Sequence, residues 1–271
     1  MPRPIQAHGL RSKVYTPILL AIFRRKYVPG ATVVEFTLEE LRGELLAAGL
    51  QARNVADLVY RMKSRTILPE EITSKGFRVL QITGRGTYAL SFAESTLIAY
   101  PEPSEIVDVH DRTPYAVRRL LADDFGKTDE QGLLNVLRYN DVFSHFLRVQ
   151  AFHLKGHVRK SVPGLGQVEV DDVHVALSGG LDDPLIIIPV EAKGKDDPVN
   201  RVQIAMQVKY ANHAFPSLLV RPLTVKLFED GVVLFMEFNP STNAADLQIV
   251  KFTHYRIHRP PLYEAPGTGS K

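Results

Sequence analysis

Cysteine is absent from all 271 residues, which excludes disulfides and thiolate metal sites and fits a reducing compartment. Long apolar runs are missing too. The stretch "TPILLAIF" near the start is far too short to span a bilayer and runs at once into "RRKY", so no membrane partner is expected. There is no Gly-Lys-Ser/Thr phosphate loop and no HExxH helix, which argues against ATP-driven chemistry and against that class of zinc hydrolase. What is present is ordinary for a folded protein. With 45% hydrophobic and 23% charged residues, disorder is expected only at the ends, and the length suits one large domain or two modest ones.

The net charge of +3 permits an anionic partner without demanding one. Its distribution says more. Residues 1–95 hold "RSK", "RRK", "RMKSR" and "GRG", whereas acids gather at 102–130 and 169–197. A basic front and an acidic knot further on imply two different tasks.

In the front part, Val14, Ile18, Leu19, Ile22 and Phe23 recur at helical spacing over 14–26. Thr37 and Glu40 are spaced as a capping box for a second helix, with Leu38, Leu41, Leu45 and Leu46 as its apolar stripe and Gly49 as its stop. A third helix is predicted over 52–65, burying Val55, Leu58, Val59 and Met62. Its other face carries Tyr60, Arg61, Lys63, Ser64 and Arg65, hydrogen-bonding groups of the kind that enter a major groove. "FRVLQITGRGTYALSF" then reads as strand, turn, strand, with Arg85 at the tip between two glycines, placed to reach a phosphate or a minor groove. Three helices followed by a hairpin resemble a winged helix-turn-helix domain over residues 1–95. The resemblance implies double-stranded DNA as the partner.

Residues 96–127 break both periodicities and hold three prolines, which marks a connector. His110 and Asp111 have no second histidine at ligand spacing, so a loop cap is the reading there.

From 128 to 271 the pattern changes. Thr128 and Gln131 open a helix whose apolar face runs from Leu133, Leu134 and Leu137 to Phe143 and Leu147, and Glu130 lies on that same face. "GQVEVDDVHVAL" alternates as a strand carrying Glu169, Asp171 and Asp172. A glycine turn leads into "PLIIIPVEAKG", whose continuous aliphatic run predicts a central strand buried on both faces, antiparallel to the one before it. Glu191 and Lys193, two apart, share one face. Gathering these carboxylates beside a single ammonium is costly unless a cation compensates.

An Asp, about twenty residues, then Glu-x-Lys at the end of an apolar strand resembles the PD-(D/E)XK nuclease family. Here the motif stands as "EVDD" at 169–172 and "EAK" at 191–193. The chain is also similar to restriction-endonuclease-like proteins sharing "GQVEVDD", "PVEAKG" and "DEQ". An acid-x-Lys tripeptide arises roughly twice by chance in such a composition. The placement therefore carries the match.

The resemblance implies an α+β or α/β chain: a winged helix domain, then a restriction-endonuclease-like mixed β-sheet flanked by helices. It implies Asp171, Glu191 and Lys193 as catalytic residues, with Mg²⁺ as cofactor (Mn²⁺ as its substitute) held by Glu191 and one of Asp171 and Asp172. Strand alternation puts those two aspartates on opposite faces. Asp171 is preferred for its flanking valines, and Glu130 matches an outer helix carboxylate. Gln203, on the helix predicted in "NRVQIAMQVKYANH", is a weaker candidate, and more readily a helix-surface residue. The implied function is a Mg²⁺-dependent restriction or phage-defence endonuclease of the prokaryotic cytoplasm, with a homodimer or two successive nicks behind a double-strand cut. The alternatives are a DNA-binding regulator on a degenerate nuclease fold and a structure-specific repair or junction nuclease.

Overall fold

The run Ile186–Lys193, all eight residues buried, forms the central strand of a mixed eight-stranded sheet. In this computed structural model, residues 7–49, 68–124, 130–177 and 184–258 are described. The proposed recognition helix, with Tyr60, Arg61, Lys63, Ser64 and Arg65, lies outside them, as does Thr128.

The front unit comprises α1 (Ala7–Lys26), β1 (Val33–Thr37), α2 (Leu38–Ala47), α3 (Glu70–Thr73), β2 (Phe77–Gly84) and β3 (Thr87–Phe92). Both halves of the capping box form: Glu40 N donates to Thr37 Oγ1 at 3.2 Å and Thr37 N to Glu40 Oε2 at 2.8 Å. The β2–β3 hairpin is joined by β1, which the apolar periodicity did not disclose, in the order β1-β3-β2. Ile18, Leu19, Ile22 and Phe23 of α1 pack on Phe36, Leu41, Phe77 and Leu90 as one core.

The remaining elements are β4 (Ile106–His110), α4 (Tyr115–Asp124), α5 (Glu130–Tyr139), α6 (Val142–Leu147), β5 (Gln150–Val162), β6 (Gly166–Leu177), β7 (Ile186–Lys193), α7 (Arg201–Ala214), β8 (Leu219–Val220), β9 (Leu223–Leu227), β10 (Val232–Phe238) and β11 (Ile249–His258). The strand order is β4-β11-β10-β9-β7-β6-β5, with β8 beside β7. β5, β6 and β7 are successive antiparallel neighbours. Helix α7 then crosses over so that β9 lies parallel to β7, as a strand-helix-strand connection requires. Helices α5 and α6 cover one face, where Leu134, Phe143 and Phe146 meet Ile188, Val190 and Phe235. Helix α7 covers the other, where Ile204, Val202 and Met206 meet Val173 and Ile187.

Two local expectations change. The stretch read as a connector supplies β4, which pairs in parallel with β11 at the sheet edge. The single helix expected over 128–147 is interrupted at Asn140 and Asp141. The Asn140 amide donates to Asp111 Oδ1 at 2.9 Å and its oxygen accepts from Arg112 N at 2.7 Å, so the β4–α4 loop claims it. Asp141 then turns the chain with φ of 52°, a conformation that Asp tolerates better than most residues.

The two units share buried contacts. Gln81 of β2 donates to Asn243 Oδ1 at 2.6 Å and accepts from Ala244 N at 3.0 Å, while Lys209 of α7 donates to the Ile82 carbonyl at 2.6 Å. Among the described residues, no helix is long and apolar enough to cross a membrane.

Candidate active site

Register brings the acids together. Asp172 pairs with Val190 across the antiparallel β6–β7 ladder, so the next position places Asp171 beside Glu191. The Ala192 amide donates to Asp171 Oδ2 at 2.9 Å, which lays that carboxylate over β7 between Glu191 and Lys193. Lys193 Nζ lies 2.6 Å from Glu191 Oε1 and 3.5 Å from Glu130 Oε1 at the start of α5. From the α7 side, Gln207 Nε2 donates to Glu191 Oε2. The end of β7, the middle of β6, one helix start and one helix face thus meet at a single point.

Asp172 takes the other face. It is fully buried, with Arg138 Nε at 2.8 Å and His174 Nε2 at 2.8 Å from its Oδ2, and His153 Nε2 at 2.9 Å from its Oδ1. Its Oδ2 is engaged by Arg138 and His174, away from Glu191. The geometry therefore separates the two aspartates: Asp171 lies beside Glu191 and Asp172 does not.

The electrostatics reflect three acids around one ammonium. Burial pushes the Glu191 carboxyl up to about 8, and the nearby Asp171 charge adds to the effect. Burial also raises Asp171 and Glu130 above the usual carboxylate range. Burial alone would lower the Lys193 ammonium, but the charges of Glu191, Glu130 and Asp171 outweigh it and the net shift is upward. Burial thus dominates the Glu191 shift, whereas for Lys193 three nearby carboxylates outweigh it.

No group of three or more His, Asp or Glu side chains that could hold a metal ion is found among the described residues. Mg²⁺ does not need one, since it is commonly held by one or two carboxylates together with water and substrate phosphates. The donor set here fits it: two adjacent hard carboxylates, Asp171 and Glu191, each short of counter-charge. The Gln207 Oε1 and Thr224 Oγ1 atoms, the latter on the strand position facing Glu191, are buried without a hydrogen-bond partner. These orphaned atoms add to the polar character of the buried surroundings of Glu191.

Sequence reasoning missed Gln207. Gln203 is half-buried one turn earlier, whereas Gln207 falls in the buried stripe of Ile204, Val208 and Ala211. Being the polar residue within an apolar stripe was the available signal. His157 was missed as well. It stands across from Asp171 on β5 with φ of 49°, and its proximity favours the Asp171 carboxylate. Arg85 lies at the tip of the β2–β3 hairpin against the β5–β6 turn, where a Cβ on Gly164 would come 3.3 Å from the Arg85 amide nitrogen.

The Glu191 shift carries a stability consequence. Its folded pKa lies above its unfolded one, so between about 4.5 and about 8 the native state keeps a proton that the unfolded chain releases. Stability should therefore fall as pH rises through that window, by an amount on the order of a few kcal/mol. In metal-free buffer, the melting temperature of Glu191→Gln is expected to fall less steeply from pH 5 to 8 than that of the wild type. Equal slopes would show that Glu191 is not held protonated.

Compared with models of known protein families and with curated proteins, the chain gives no match.

Proposed function

We propose that this protein is a divalent-metal-dependent DNA endonuclease. One observation carries the reading: Asp171, Glu191 and Lys193, which the Asp…Glu-x-Lys pattern groups on the sequence, converge where the middle of β6 meets the end of β7, with Glu130 making three acids around one ammonium.

Asp171 and Glu191 would hold the metal, which when bound supplies Lewis-acid charge at the scissile phosphate and lowers the pKa of water. Gln207 fixes the Glu191 carboxylate from the α7 side. Lys193 stays protonated beside Glu191 and Glu130, so it can orient an attacking water and meet the negative charge that develops on the phosphoryl oxygens. The water oxygen bonds to phosphorus as the bond to the leaving oxygen breaks; the water passes one proton to bulk solvent, and the leaving alkoxide takes one up from solvent. Burial of the strand ends strengthens each of these electrostatic effects.

Target choice is assigned to the front unit. Its hairpin and its helices α1 and α2 support a winged-helix reading, with Arg85 at the wing tip; the basic residues at 60–65, expected on sequence to read the groove, lie outside the described residues.

The test is incubation of purified protein with methylated and unmethylated plasmid and phage DNA, with Mg²⁺ or chelator. Discrete fragments that require Mg²⁺ are expected. Binding without cutting on every substrate would replace this reading by that of a DNA-binding regulator.

A further inference from the structure

Lys193 has a second shielded cation beside it. Lys226 on β9 is 3% exposed, and its Nζ donates to three backbone carbonyls: Gly194 at 2.5 Å, Lys195 at 2.6 Å and Asp197 at 3.0 Å. Among the described residues no carboxylate comes within ion-pair distance of it. Three carbonyl oxygens converging on one charge form the kind of cradle that a monovalent cation occupies, and here the cation is tethered to the neighbouring strand.

The cradle belongs to the loop at 194–199, which leaves β7 immediately after Lys193 and enters α7, the helix carrying Gln207. Lys226 is itself the register partner of Lys193. The same loop brings the Asp197 charge close enough to Glu130 to raise that carboxyl. Anchoring this loop thus fixes three things at once: where Lys193 leaves the sheet, how α7 aims Gln207 at Glu191, and where Asp197 stands relative to Glu130.

We infer that Lys226 is a positioning residue, a tethered cation that organises the 194–197 carbonyls and through them the Glu191–Lys193–Gln207 arrangement. The inference rests on the active site proposed above. Its physical core, an ammonium replaceable by a free one, can be tested without any catalytic assay.

In Lys226→Ala the carbonyl cradle is left open. The variant should melt below the wild type, and methylammonium or K⁺ should raise its melting temperature by several degrees relative to tetramethylammonium, which is too large to enter. The wild type should not discriminate among the three salts. In the cleavage assay, kcat of the variant should drop by about 10- to 100-fold, with KM for DNA unchanged and partial recovery in methylammonium. If Lys226→Ala does not fold, Lys226→Gln keeps part of the stem and an uncharged amide NH2, and should show the same loss of kcat at unchanged KM.

A Lys226→Ala protein that melts identically in all three salts, or a folded Lys226 variant that cuts like the wild type, would overturn the inference. If the wild type cuts no DNA, the nuclease reading fails while the melting comparison still decides the role of Lys226.

Discussion

Lys193→Ala is expected to bind DNA with wild-type affinity and to cut it at least ~10³-fold more slowly, the scale seen when a preorganised transition-state donor is removed. The reason lies in the surroundings of the ammonium. Its partners Glu191 and Glu130 are themselves short of positive charge, so Lys193 is held protonated and pointed at the place where the acids gather. Alanine removes the donor and also leaves Glu191 facing Asp171 with one cation fewer, which should push the Glu191 carboxyl higher still and move metal-dependent activity towards alkaline pH. Single-turnover cleavage across pH 6 to 9, run beside a gel-shift titration, separates the two effects. Cutting by Lys193→Ala within about tenfold of the wild type would remove this lysine from the chemistry.

The second large effect divides two neighbouring residues. Asp171→Asn should lose cleavage while melting at or slightly above the wild-type temperature, because it removes a charge that repels Glu191 and keeps an acceptor for the Ala192 amide. Asp172→Asn should do the opposite kind of damage. It would leave the Arg138 guanidinium, mostly shielded from solvent, without its buried carboxylate, and deprive His174 and His153 of theirs. Breaking such a pair from one side typically costs about 3 to 5 kcal/mol. Denaturant unfolding of the two variants, each measured beside its cleavage rate, gives a crossed pattern if these roles are right. Loss of cleavage at full stability in Asp172→Asn would exchange the two assignments.

The front and back of the chain differed in how openly the sequence disclosed them. The α2 capping box, the hairpin around Arg85 and the antiparallel β6–β7 pair follow from short-range signals, because caps, glycine turns and strand alternation act within a few residues. The stretch at 96–127 did not disclose β4, since an edge strand exposed along much of its length leaves only a weak apolar signature. Nor did apolar spacing reveal that α5 ends at Asn140, because the break comes from a loop residue, Asp111, 29 positions away.

By itself, the sequence determined that a buried apolar strand ends in Glu191 and Lys193 on one face, that an acidic strand precedes it, and that Glu130 begins a helix nearby. Those are properties of residue order and of periods two and 3.6. Only the tertiary structure decided that Asp171 rather than Asp172 stands beside Glu191, since that depends on ladder register. It alone decided that α7 presents Gln207 rather than Gln203, since that depends on how the helix is rotated against the sheet. It alone placed Lys226 under the loop that follows Lys193, because converging carbonyls leave no mark on side-chain pattern: backbone oxygens are the same in every residue, and only the fold determines where they meet.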